Sequence, residues 1–157
     1  MQELRLGGNE LTLTTHTQSG EEKKEFLISF QNGLIGLEDY TEFKVVIDPD
    51  ISPLRLVDST AKPGLGFVAV EPWVVYPSYQ FDLDDSIVSE LGIHDSSDVW
   101  VLCLVVIPKR TEDITVNLKS PLVINVRNGK ARQVVLVNED YSIRHRVMPR
   151  IQESKCG

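Results

Sequence analysis

The chain has 157 residues, 41% of them hydrophobic and 25% charged, which is enough apolar material for one domain to bury a core and far from the composition of a disordered chain. A formal net charge of −7 argues against nucleic acid as the main ligand, because phosphate binding depends on neutralisation by Lys and Arg. The longest apolar run covers residues 99–107, well short of the about 20 residues of a spanning helix, and residues 1–5 lack the apolar stretch of a secretory signal, so a cytoplasmic protein is expected.

In chain order, Leu11 and Leu13 alternate with Thr12 and Thr14, and Phe26, Ile28 and Phe30 alternate with Leu27 and Ser29. Both patterns predict strands with one buried face. Between them, residues 18–24 read as a polar turn. Residues 43–47, 54–57 and 65–70 are β-branched or aromatic runs separated at Pro49, Pro53 and Pro63, where turn chemistry breaks the ladder. Residues 84–91 predict the single short helix: Asp82 or Asp84 caps it, Asp85 suits the positive end of its dipole, Ile87, Val88 and Leu91 form its apolar stripe, and Gly92 stops it.

Residues 99–107 are apolar on both alternating faces, as in a central strand packed on two sides, and Pro108 closes them. Ile114, Val116 and Leu118 alternate with Thr115, Asn117 and Lys119, and a further run follows Pro121. Asn128-Gly129 takes the positive φ angles of a type I′ turn, so a hairpin between residues 122–126 and 134–137 is expected. Many strands, one helix and no βαβ rhythm give a mainly β, single antiparallel barrel-like or folded-sheet domain over residues 1–150, with a flexible tail over 151–157.

The familiar catalytic signatures are missing. The chain has no Gly-x-Ser-x-Gly elbow, phosphate loop or His-Glu-x-x-His pair, and Gly64-Leu65-Gly66 lacks the third glycine of a dinucleotide site. His16, His94 and His145 are dispersed, and Asp82, Asp84 and Asp85 lack the glycine and glutamate of a calcium loop. The expectation is a binding protein with no metal, no cofactor and no catalytic centre. Cys103 reads as a small buried hydrophobe and Cys156 as a tail thiol.

Charge is unevenly spread. From residue 127 onward seven basic residues face three acidic ones, leaving that segment at +4 and the first 126 residues at −11. Between Lys62 and Lys109 there is no Lys or Arg, yet Glu71, Asp82, Asp84, Asp85, Glu90, Asp95 and Asp98 fall there. A basic partner fits this stretch. Trp73, Tyr76, Tyr79 and Phe81 lie within it, either as packing at the core edge or as interface anchors. The candidate partner-binding residues are therefore Glu71, Tyr76, Tyr79, Phe81, Asp82, Asp84, Asp85 and Glu90.

Several motifs in one order carry a resemblance. Residues 28–38, Ile-Ser-Phe-Gln-Asn-Gly-Leu-Ile-Gly-Leu-Glu, residues 67–73 and 79–83, and residues 115–125, Thr-Val-Asn-Leu-Lys-Ser-Pro-Leu-Val-Ile-Asn, are followed by Gln133-Val134-Val135-Leu136 and Tyr141-Ser142-Ile143-Arg144-His145. Together they resemble the flagellar assembly factor FliW family over roughly residues 26–147. Gln31, Leu37 and Ser120 depart from the usual Pro, Phe and Ala. The resemblance implies a non-enzymatic regulator that binds flagellin and the RNA-binding translational regulator CsrA by partner exchange, relieving repression of flagellin translation. The glycines and asparagines of these motifs have a scaffold reading as well: Gly33, Gly36 and Gly129 permit turns, and Asn117 and Asn125 bond backbone at strand ends. The competing functions are a small-ligand-binding β-barrel carrier, which needs an enclosed apolar cavity, and an enzyme, which needs a His and a carboxylate converging in a cleft.

Overall fold

The alternating runs close into a barrel. A computed structural model describes residues 13–16 and 22–147, and its strands are β1 (Leu13–His16), β2 (Glu22–Phe30), β3 (Glu42–Ile47), β4 (Leu54–Ser59), β5 (Gly66–Val70), β6 (Val99–Val106), β7 (Thr115–Val116), β8 (Leu122–Asn125), β9 (Lys130–Gln133) and β10 (His145–Arg146). A single helix among the described residues, α1 (Asp85–Leu91), lies between β5 and β6. Strands β6, β5, β4, β3, β2, β9 and β8 pair in that order, and β8 pairs back to β6, closing seven strands. Strand β1 pairs with β2, and the short β7–β10 pair extends from β6. Residues 11, 12 and 18–21, the tail over 151–157 and Cys156 lie outside the described residues; the remainder of the expected polar turn, Glu22 to Lys24, belongs to β2.

The mainly β, barrel-like expectation holds, with one parallel pairing inside it. β2 runs parallel to β9, in register Ser29↔Lys130 and Phe30↔Ala131, while the other barrel pairings are antiparallel. Gly129 sits at this seam with φ 78°. Its carbonyl accepts from the Ser29 N–H at 2.9 Å, and a Cβ there would lie 2.8 Å from the Leu27 carbonyl oxygen. Only glycine lets the two backbones approach so closely.

Strand β6 explains its own two-faced apolar sequence. Trp100 and Leu102 join Phe26, Ile28, Phe30, Phe43, Val45, Val57, Leu122 and Ile124 in the core inside the barrel. Val99, Val101 and Cys103 join a second core outside it, with Leu91, Val116, Leu118, Val123, Val134 and Leu136. The barrel interior is thus filled by side chains, and Trp100 meets Phe26 edge-on at 5.8 Å between ring centroids. The space a carrier would reserve for a ligand is occupied.

Three local expectations change. β7 is only Thr115–Val116, because the Asn117 side chain turns the chain, accepting from the N–H groups of Lys119 at 3.1 Å and Ser120 at 3.0 Å. β8 pairs with β9 rather than with residues 134–137, and residues 126–129 connect the hairpin, with the Gly129 N–H on the Asn125 carbonyl at 2.8 Å. A longer loop therefore replaces the two-residue type I′ turn. Asp84 stands at the helix N-cap position, yet its side chain makes no capping bond; its carbonyl accepts from the Ile87 and Val88 N–H groups instead. The helix does stop at Gly92, which is left-handed at φ 69°.

Asn125, wholly buried, ties the helix to the barrel. Its amide donates to the Leu91 carbonyl at 2.7 Å, its oxygen accepts from the Arg127 N–H at 2.9 Å, and Asn128 donates to the same Leu91 carbonyl at 3.1 Å. These side chains satisfy a helix-end carbonyl that has no intrahelical partner. No helix among the described residues is long and apolar enough to cross a membrane.

Candidate partner-binding groove

The aromatic cluster is an internal brace. Tyr79 is 1% exposed and Phe81 4%, so both expected interface anchors belong to the second core, where burial of their rings stabilises the fold. The Tyr79 hydroxyl donates to the Leu118 carbonyl at 2.7 Å, and Trp73 Nε1 donates to the Tyr79 carbonyl at 2.8 Å. Burial raises the Tyr79 hydroxyl well above the usual phenol range and pushes the neighbouring Cys103 thiol up to about 12. Tyr141 packs against Tyr76 and Tyr79 at 5.4 and 4.5 Å between centroids. Its hydroxyl both accepts from the Gln80 N–H and donates to the Gln80 carbonyl. Tyr76 is the aromatic member of the candidate set that remains half-buried.

The acidic stretch is also less bare than its sequence implies, because arginines from elsewhere in the chain reach it. Glu71 is buried, and both its carboxylate oxygens are engaged within the fold, accepting from Arg55 at 3.2 Å and from Trp100 Nε1 at 2.9 Å. Glu90 pairs with Arg132 of β9. Asp98 pairs with Arg127 at 2.8 Å, and that hydrogen bond holds its carboxyl below the usual carboxylate range. Asp82, Asp84 and Asp85 are exposed. The potential of this face therefore rests on fewer carboxylates than the one-dimensional count.

The turn motif at residues 28–38 is built by its own backbone. Gly33, at φ 71°, donates to the Phe30 carbonyl, and a Cβ on it would meet the Glu38 backbone at 2.6 Å. Glu38 accepts from the Gly36 N–H at 3.0 Å, which lowers its carboxyl below the ordinary value. The Ile35 N–H donates to the Gln133 side chain at 3.0 Å, fastening the turn to β9.

What the fold leaves open is a groove of about 630 Å³ between residues 76–87 and residues 134–141. Phe81, Ile87, Val134 and Leu136 form its apolar lining, and Asp82, Asp84 and Asp140 its charged lining. It has no Lys, Arg or His among its described lining residues. Val135 and Val137, on the same wall, are 57% and 94% exposed. Of the eight candidate residues, the structure brings Tyr76, Phe81, Asp82 and Asp84 to this groove; Asp85 adjoins it in sequence, and Glu71, Tyr79 and Glu90 do not line it. The opposite wall was missed. Its signal was present in the sequence: four consecutive apolar residues past the end of β9 can bury only every second side chain.

No group of three or more His, Cys, Asp or Glu able to hold a metal occurs among the described residues. The fold and groove define a class: a closed, side-chain-filled β barrel with a second core on one flank and an open acidic groove. The FliW protein family model matches residues 12–147, starting ahead of the motif resemblance. Flagellar assembly factor FliW from Ruminiclostridium cellulolyticum is 35% identical over 146 residues, covering 92% of this chain and 99% of that protein. FliW from Caldicellulosiruptor saccharolyticus is 38% identical, covering 80% and 82% respectively. A crystal structure of the flagellar assembly factor FliW superimposes with a TM-score of 0.71 at 32% identity, covering 79% of this chain and 86% of that one. The chain belongs to the FliW family.

Proposed function

We propose that the chain is a cytoplasmic, non-enzymatic flagellar assembly factor that binds flagellin and a CsrA-type RNA-binding regulator in exchange, freeing flagellin translation when the regulator is held. The observation that carries this reading is the groove: exposed apolar residues beside carboxylates with no cation among the described lining residues. Carboxylates speed encounter with a protein whose own surface must be basic to hold RNA phosphates. Apolar wall residues supply the desolvated contact that charge alone does not. Asp82, Asp84 and Asp85, with Tyr76, replace the original eight residues as the regulator-facing set. Flagellin, whose contact segments are amphipathic, is held by apolar anchors and so resists salt.

The test is calorimetric titration of the purified chain with each protein, then with the regulator after saturation by flagellin. Each protein should bind alone, and flagellin should abolish or strongly weaken binding of the regulator. Failure of both proteins to bind would overturn the reading; simultaneous undiminished binding would overturn exchange.

A further inference from the structure

We propose that the groove takes an extended segment of a partner protein, with apolar side chains alternating with basic ones, as an added β-strand along residues 134–138. This rests on the protein-binding reading above and adds the mode of recognition. The β8–β9 ladder does not end at Gln133. The Val134 N–H donates to the Pro121 carbonyl at 2.9 Å and the Leu136 N–H to the Lys119 carbonyl at 2.8 Å, in the register of the pairing Leu122↔Gln133. In an extended chain successive N–H groups point to opposite edges, so Val135 and Val137 present theirs away from that ladder. Neither has a hydrogen-bond partner among the described residues. An unpaired edge is a template for another strand, and proteins usually blunt it with Lys, Pro or a bulge. Val-Val-Leu-Val carries neither Lys nor Pro.

Charge selects the occupant. Asp82, Asp84 and Asp140 are the charged groups of the groove lining, which includes no Lys, Arg or His among its described residues. An incoming strand with Lys or Arg at alternate positions meets these carboxylates, while its apolar positions cover Val135 and Val137. A second copy would bring its own carboxylates and is disfavoured by like-charge repulsion.

The test is amide hydrogen exchange of the full chain, free and saturated with three probes in turn: the CsrA-type regulator, flagellin, and a synthetic ten-residue peptide alternating Val and Lys. The Val135 and Val137 amides should slow by on the order of tenfold or more with at least one probe. Val135→Pro removes the outward N–H and leaves the inward ladder bonds, so it should fold, as proline is tolerated on edges, yet lose about tenfold or more in affinity. Val135→Thr, which keeps the N–H, should retain binding. Unprotected amides in every saturated complex, or a folded Val135→Pro chain that binds unchanged, would overturn the proposal. Protection already present in the free chain and lost on removing residues 148–157 would assign the groove to the chain's own tail, and protection that rises with chain concentration would assign it to a second copy; either overturns the partner. Protection by the peptide with neither protein binding would leave the strand-addition site standing and refute the functional reading alone.

Discussion

Replacing Glu71 by Ala should cost far more stability than its place in an acidic stretch implies. The carboxylate is buried, pairs with Arg55 at 3.2 Å and accepts from Trp100 Nε1 at 2.9 Å. Arg55 Nε is already without a hydrogen-bond partner among the described residues, so removing Glu71 strands a largely buried guanidinium. Breaking one side of a buried pair costs about 3–5 kcal/mol, a large share of a stability on the order of 5–15 kcal/mol. At about 2–4 °C per kcal/mol for a chain of this size, the melting temperature should fall by roughly 6–20 °C. Glu71→Gln keeps an acceptor for Trp100 and should cost less. Arg55→Met combined with Glu71→Gln should cost less than Glu71→Ala alone, because no charge is left stranded. Thermal and urea unfolding measure all three. A Glu71→Ala chain that melts within about 1 kcal/mol of the parent but loses partner binding would refute the assignment and return Glu71 to the interface.

Asn125→Ala should lose about 1–3 kcal/mol and raise exchange of the α1 amides, since the Leu91 carbonyl loses its 2.7 Å donor; unchanged exchange in the helix would contradict the tie. Gly129→Ala should cost on the order of 1–3 kcal/mol, read by urea unfolding, because a side chain there is strained at φ 78° and approaches the Leu27 carbonyl; a neutral change would deny the close seam between β2 and β9. Arg127 lowers the Asp98 carboxyl, so this pair stabilises above the ordinary carboxylate pKa of about 4 and its contribution is lost as pH falls through the depressed folded value. Asp98→Asn should flatten the stability curve below about pH 4; identical pH slopes would contradict the pairing. With the Cys103 thiol pushed up to about 12, a Cys156→Ser chain at pH 8 should react with a disulfide reagent only as it unfolds, and rapid labelling of the folded chain would place Cys103 at the surface.

Much of the barrel was legible because period-two burial is a local property. The strands at residues 26–30, 43–47 and 54–57, and the two-faced run from residue 99, show in the sequence which side chains share a face, and β6 has a core on each side. Gly92 as a helix stop was likewise legible, and so was the strand-end bond of the Asn125 oxygen to the Arg127 N–H, whereas the reach of the Asn125 amide to Leu91 was not. Pairing across the sequence was not. The stretch without Lys or Arg acquires Arg55, Arg127 and Arg132 only when β4 and the β8–β9 hairpin are brought beside it. The aromatics near Tyr79 read as core-edge packing or as anchors, and burial decides between them. The parallel contact of β2 with β9 depends on barrel closure, which no spacing encodes.

Charge reversal on the groove tests the central claim most directly. Asp84, Asp85 and Asp140 are exposed, and Asp84 makes no capping bond, so changing all three to Lys should cost little stability. Glu90 is left alone because Lys there would oppose Arg132. Thermal melting and affinity for the CsrA-type regulator, measured on one preparation across a salt series, give the result. The account predicts a folded chain whose affinity falls at least about tenfold at low salt and whose salt dependence largely disappears. A folded triple variant that binds the regulator with the parent's affinity and salt dependence would contradict it and place the interface elsewhere.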